Sequence, residues 1–317
     1  MNLIGIDLGG TNIAAALVDE NGAMSHKVSI PTRTVDGTDA VLSGLEKVVD
    51  LILEESGLKA SDIHSIGIGV PGMMNVETGE ILFSANLPLA NVNITTGLKA
   101  KFGVPVYINN DANCAALGEV KGGAAKGTQE AIFVTLGTGV GGGIVTGGKI
   151  YSGHNGCAGE IGHIMIEMGG RQCGCGRKGC WEAYASATGL IITTKELMEQ
   201  DKNSKMWEIV EGDITKVNGR TAFDAMRAGD ETAKKAVDIY THHLAVGIID
   251  LINIFEPEVI AIGGGISNEG ETLLAPLREI VNAETYSGKS DQVSQVRIIK
   301  ASLGNDAGIV GAGMLGA

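Results

Sequence analysis

The chain reads as an α/β protein built from two related halves, and three observations lead there. Short apolar strands alternate with amphipathic helices along the sequence. A strand, glycine turn and returning strand near residue 1 recur in outline near residue 131. At 317 residues, 44% of them hydrophobic, the chain is long enough for two cores.

Leu3 to Leu8 predicts a buried strand, Gly9-Gly10 a turn and Ile13 to Val18 a returning strand. Asp7 sits among apolar neighbours, where a carboxylate is costly unless a cation or donors meet it, so it reads as turn chemistry or a magnesium-side ligand. Behind it Gly9, Gly10 and Thr11 offer backbone N–H groups to a phosphate, although a tight hairpin without ligand has the same pattern. Asp39 to Glu55 is an amphipathic helix stopped by Gly57. Ile63 to Val70 is a strand ending at Pro71-Gly72, and Ser84 to Pro88 is a polar loop containing Asn86. Val104 to Ile108 is a strand that runs into Asn109-Asn110-Asp111, and a helix follows. All three residues are good helix caps, more than one helix needs, and the helix start is expected to favour the ionised form of Asp111.

Ala131 to Leu136 is an apolar strand, Gly137-Thr138-Gly139 a turn and Gly143 to Thr146 a returning strand. Gly137, Gly139 and Gly142 spell G-x-G-x-x-G, but the glycines that follow make the helix of a dinucleotide site improbable. Gly148-Lys149-Ile150 lacks the hydroxyl of a Walker loop, so residues 137–139 are kept as a phosphate cradle. Ala187 to Glu199 and Glu231 to Phe255 read as helices, the second stopped by Pro257. Val259 to Ile262 is a strand ending in Gly263-Gly264-Gly265, where the absence of Cβ atoms would let a ring or ribose lie on the backbone; a plain turn is the alternative. A strand near Val296 to Lys300 and a Gly/Ala-rich helix from Asp306 close the chain.

Between residues 153 and 182 the pattern changes to cysteine, histidine and glycine. His163, Cys173, Cys175 and Cys180 supply three thiolates and one imidazole, the closed tetrahedral set that zinc takes at structural sites. Cys173 and Cys175 are too close for an easy disulfide. Glu160 and Glu182 bracket the set, and carboxylates held rigidly beside an imidazole are good acceptors for sugar hydroxyls, although ordinary solvated glutamates have the same spacing, which alone does not decide. Cys114 and Cys157 are left over and read as small buried hydrophobes.

A formal net charge of −13 argues against nucleic acid or an anionic membrane as partner. No apolar run is long and uncharged enough to span a bilayer; the best, Leu244 to Phe255, contains Asp250. The N-terminus lacks a basic region and carries Asp7 in its first apolar run, so no export signal is read, and an odd cysteine count fits a reducing cytoplasm.

Asp7-Leu8-Gly9-Gly10-Thr11, Asn110-Asp111, Gly137-Thr138-Gly139, Glu160-Ile161-Gly162-His163, C-G-C-x-x-x-x-C-W-E from Cys173 and Gly263-Gly264-Gly265 together resemble the ROK family of sugar kinases, within the actin-like ATPase superfamily. Among its members the chain looks most similar to the bacterial ATP-dependent glucokinases. The resemblance implies two actin-like (ribonuclease H-like) α/β domains hinged over a cleft: 1–119, joined by a C-terminal helix at about 300–317, and 120–299 with the zinc loop 163–180. It implies Asp111 as the base for the phosphorylated hydroxyl and Gly72, Asn86, Asn110, Glu160, His163 and Glu182 around the sugar. Asp7 to Asn12 and Gly137 to Gly139 would hold phosphates and Mg²⁺, and Gly263 to Gly265 the adenosine of ATP. One departure is Leu89-Ala90, where the family often has Gly-Trp beside the sugar. A homodimer or higher homo-oligomer is also implied.

Glucose is the hexose most expected, with fructokinase and N-acetylmannosamine or N-acetylglucosamine kinase as rivals and polyphosphate as a possible donor. The family also contains sugar-responsive repressors with a helix-turn-helix before the kinase-like part. Here the Asp7 motif begins at residue 4, so a repressor is disfavoured, while a sugar-sensing protein without catalysis stays open.

Overall fold

The computed structural model describes residues 1–290 and 292–317. The chain divides into two compact units, one of Met1–Phe133, Gly143–Gly159 and Ala301–Ala317, the other of Val134–Gly142 and Glu160–Lys300.

In chain order the first unit begins with β1 (Leu3–Leu8), β2 (Asn12–Val18) and β3 (Met24–Pro31), followed by α1 (Thr38–Ser56) and β4 (Ser65–Val70). Three short strands follow, β5 (Met73–Asn75), β6 (Glu80–Phe83) and β7 (Val92–Asn93), then α2 (Thr95–Phe102), β8 (Val106–Asn110) and α3 (Asp111–Lys121). The main sheet runs β3-β2-β1-β4-β8, with β1, β4 and β8 parallel and the first three strands an antiparallel meander. β1 and β4 are apolar runs because both faces are covered. On one side α1 buries Val41, Leu45, Val48, Val49 and Ile52, each worth about 1.5–3 kcal/mol on removal from water. Gly57 ends α1 in the left-handed conformation, φ +70°.

β3 has no counterpart in the sequence reading. It is an edge strand with only Val28 buried, so its exposed His26 and Lys27 hide the alternation. β5–β7 form a separate small sheet, and α2 buries only Thr95 and Leu98, too few for a legible stripe.

The rest of the chain supplies β9 (Ala131–Leu136), β10 (Val140–Thr146), β11 (Lys149–Ile150), α4 (Glu182–Ala185), α5 (Ala187–Gln200), α6 (Met206–Ile209), α7 (Thr221–Arg227) and α8 (Glu231–Phe255). It ends with β12 (Val259–Gly263), α9 (Glu271–Glu284), β13 (Arg297–Lys300) and α10 (Ala307–Gly313). The second sheet runs β11-β10-β9-β12-β13, and β10 occupies the place where a dinucleotide site would need a helix. α9, also absent from the sequence reading, buries Leu273, Leu274, Leu277 and Val281 despite Pro276 inside it.

α10 packs on α3 in the first unit through glycines. A Cβ at Gly118 would collide with the Ala307 carbonyl, and one at Gly311 with the Cys114 carbonyl, so the two backbones meet directly. Cys114 is buried as expected, but Cys157 is exposed. The loop around Cys157 turns through Gly153, Gly156 and Gly159, all at positive φ, and none of residues 151–160 is buried. All five cysteines are free, and among the described residues no helix is long and apolar enough to cross a membrane.

Candidate functional site

In the first unit the candidate residues collect at the C-terminal ends of the parallel strands. Asp7 on β1 is in register with Gly69 on β4, which is in register with Asn109 on β8. Three caps compete at the next turn, and hydrogen bonding sorts them. Asn110 is the N-cap of α3: its side-chain oxygen accepts from Ala112 N–H at 2.9 Å and Asn113 N–H at 3.4 Å. Asn109 braces the turn instead, accepting from Asn110 N–H at 2.9 Å and Asn113 Nδ2 at 3.0 Å. Asp111 is left with one short-range bond, from Ala112 N–H at 2.9 Å.

Burial raises the Asp111 pKa, and the Ala112 N–H only partly opposes it. The expectation that the helix start keeps this group readily ionised is therefore corrected: desolvation outweighs the helix end. Asp7 is pushed up from 3.8 to about 6, first by burial and then by the charge of Asp111. Among the described residues its carboxylate has no hydrogen bond or ion pair. Two carboxylates near each other with no cation between them fit a divalent-ion environment.

The loop after Asp7 is closed by Gly9 N–H to Asn12 O at 3.0 Å, and Thr32 Oγ1 donates to Gly9 O at 2.7 Å. Thr11 and Asn12 remain exposed, and Gly10 stands against the Asn86 backbone, with room for a Cβ only 3.3 Å from the Asn86 carbonyl oxygen. Asn86 itself is exposed. Gly72, φ +127°, has no room for a Cβ beside the Phe83 carbonyl, so packing alone demands glycine there. In the departing loop segment Leu89 turns into the core, 1% exposed, and only Ala90 faces outward.

In the second unit His163 closes a short turn, Ile161–His163, while the cysteines lie on a tight hairpin. Cys173 N–H donates to Arg177 O at 2.9 Å, and Gly176 and Gly179 take φ of +91° and +79° to make the bends. The Cys175 and Cys180 sulfurs are 3.6 Å apart and Cys173 Sγ is 3.7 Å from His163 Nδ1. All four ligand atoms lie within 4.8 Å of one another. Tetrahedral zinc with bonds of about 2.3 Å to sulfur sets neighbouring sulfurs about 3.8 Å apart, so the set fits that ion. With Nδ1 toward the sulfurs, Nε2 of His163 is left for another partner. Glu160 is exposed. Glu182 is half-buried, with Oε2 accepting Val140 N–H at 3.1 Å and Oε1 3.4 Å from Cys173 Sγ.

The glycine loops divide by function of space. Gly137 and Gly265 have nothing within 4 Å of where a Cβ would lie, so their backbones face open space. Gly139 is pressed against the Glu182 carboxylate, and Gly264, φ +81°, against the Leu136 backbone. Thr138 is tied down by its carbonyl, which accepts from Thr188 Oγ1 at 2.8 Å, while Ala187 N–H donates to Gly137 O at 2.9 Å. Sequence reasoning missed Val140 and Thr188, since neither residue type carries a chemical signature; only their place after a glycine turn and after a helix cap could have pointed to them.

Comparison with known proteins shows what the whole chain is similar to. The family model described as the ROK family matches residues 3–316. A glucokinase of Halalkalibacterium halodurans is 39% identical over 314 residues, covering 98% of this chain and 94% of that protein. A glucokinase of Thermotoga maritima is 38% identical over 313 residues, covering 98% and 96%. A crystal structure of a ROK family glucokinase from Streptomyces griseus in complex with glucose and AMPPNP matches with a TM-score of 0.78 at 32% identity, covering 99% of both chains.

Proposed function

The chain belongs to the ROK family, and from that membership we propose that it transfers the γ-phosphoryl group of ATP to glucose, giving glucose 6-phosphate. The observation that carries this reading is the division of labour at the β8–α3 junction. Asn110 caps the helix, which leaves the half-buried Asp111 carboxylate with only the short-range bond from Ala112 N–H.

A hexose hydroxyl is a poor nucleophile at neutral pH and must lose its proton as the new P–O bond forms. Asp111 accepts that proton, and its raised pKa makes it a stronger base than a surface aspartate. Asn110 spends its side-chain oxygen on the cap and keeps its NH₂ group to donate to the sugar. The family reading gives the remaining hydroxyls to Glu160, Glu182 and Nε2 of His163 in the second unit and to Asn86 and Gly72 in the first. The turns Gly9 to Asn12 and Gly137 to Gly139 are closed by Gly9 N–H to Asn12 O and Gly137 N–H to Gly139 O, and their other backbone N–H groups meet the phosphates, while Gly263 to Gly265 leave a flat surface for the adenosine. Phosphoryl transfer depends on positioning and charge neutralisation more than covalent chemistry, which explains a site with no lysine in its loops.

Asp7, beside Asp111, is the carboxylate suited to Mg²⁺, which supplies neutralisation of the phosphate charge. His163, Cys173, Cys175 and Cys180 are the residues for zinc, which supplies rigidity to the segment bearing Glu160 and Glu182.

A coupled assay of ADP release across glucose, fructose, mannose, N-acetylglucosamine and N-acetylmannosamine tests the reading. Glucose should give the highest kcat/KM. Fructose or an N-acetylated hexosamine far ahead, with glucose near background, would replace the substrate; no turnover with any sugar, despite sugar binding, would favour a sensing protein.

A further inference from the structure

Three of the motifs meet at Val140. Its N–H donates to Glu182 Oε2 at 3.1 Å. Its carbonyl lies against Gly162, where a Cβ would collide with the oxygen, so the turn that carries Glu160 and His163 rests on the same residue. Gly139 abuts the same Glu182 oxygen with no room for a side chain. Glu182 is itself held from two sides. Cys180 of the metal set is two positions before it, and Cys173 Sγ is 3.4 Å from its other oxygen. Between Cys180 and Glu182, Trp181 is fully buried, donates from Nε1 to His243 O at 2.9 Å, and lies over Gly247, which has no Cβ to obstruct the ring.

We propose that Glu182 is a positioning residue for the Gly137–Gly139 loop, carrying the geometry of the metal cluster to the backbone groups that meet the nucleotide phosphates. The proposal rests on the reading of that loop as a phosphate cradle and adds a second task to Glu182 besides accepting a sugar hydroxyl. The physical reason is preorganisation. Backbone N–H donors hold a phosphate well only when their directions are set beforehand, and a carboxylate bound to a backbone N–H is a stronger fastening than a neutral pair. Metal occupancy and nucleotide affinity are then coupled, and the coupling runs both ways.

The test measures AMPPNP binding with Mg²⁺ and without sugar, by calorimetry, on the zinc-loaded protein and after chelation, for wild type, Glu182→Ala and Glu182→Gln. Hydrogen exchange of residues 136–142 is followed on the same samples, with β1 as the control for folding. Glu182→Ala should weaken the nucleotide about tenfold and speed exchange at 139–142, within the usual span of coupling between sites. Chelation should weaken wild type similarly and add little to Glu182→Ala. Glu182→Gln keeps an oxygen for Val140 N–H, so nucleotide affinity should return to within about twofold while glucose affinity stays low, separating the two tasks. Unchanged affinity and exchange in Glu182→Ala would overturn the proposal, as would a chelation effect as large in that variant as in wild type. If wild type bound no AMPPNP, the phosphate-cradle reading would fall, and the exchange contrast alone would decide whether Glu182 holds the loop.

Discussion

Glu119 accepts the backbone N–H of Ser302 at 3.0 Å, across 183 positions of sequence. The same buried carboxylate takes Leu303 N–H at 2.8 Å and Ala124 N–H at 2.7 Å. It thus ties α3 to the segment that leads into α10. Glu119→Gln turns one acceptor oxygen into a donor facing N–H groups, and it should destabilise the protein by about 2–4 kcal/mol in urea unfolding. A loss below about 0.5 kcal/mol would show that the N–H groups find other partners.

Gly311→Ala sets two effects against each other. Alanine improves an isolated helix by about 0.5–1 kcal/mol, but here its Cβ would meet the Cys114 carbonyl. Overpacking of backbone against backbone should win, with a net loss of about 1–3 kcal/mol. A raised Tm in Gly311→Ala would mean that α10 can move away from α3 at little cost.

Asp7 makes stability depend on pH. Its folded pKa of about 6 lies above the ordinary 3.8, so its contribution is fully present below about pH 4 and is lost as pH rises through 6. The difference corresponds to roughly 2–3 kcal/mol. Asp7→Asn, measured without nucleotide or Mg²⁺, should therefore be more stable than wild type at pH 7.5 and nearly equal to it at pH 4. An equal gap at both pH values would remove the carboxyl as its cause.

Asp111→Asn keeps the shape and a hydrogen bond to the hydroxyl but cannot take the proton. Turnover should fall by about two to four orders of magnitude, with folding and zinc content close to wild type. A helix cap would tolerate the change, because Asn and Asp cap about equally well. Near-normal kcat in the folded, zinc-loaded variant would exclude Asp111 from the mechanism.

The purified chain should carry about one zinc by elemental analysis. Cys175→Ser removes the one exposed cysteine of the metal set and should lose both the metal and most glucose affinity. Full glucose affinity in a metal-free Cys175→Ser protein would show that Glu160, His163 and Glu182 are positioned without the ion.

Local pattern alone determined β1, β9 and α8, because each is a periodic or continuous apolar run bounded by glycine, proline or a cap, and those signals act within a few residues. It also picked out His163, Cys173, Cys175 and Cys180, since metal ligands keep their chemistry wherever the chain places them. It did not show β3 or α9, where exposure or an internal proline masks the period. Only the tertiary structure decided that Asn110 rather than Asp111 caps α3, that burial outweighs the helix end at Asp111, and that Ser302 and Leu303 meet Glu119. It alone brought Val140 to Glu182. Desolvation and hydrogen-bond partnership depend on which distant segments close around a group, and no spacing along the chain carries that information.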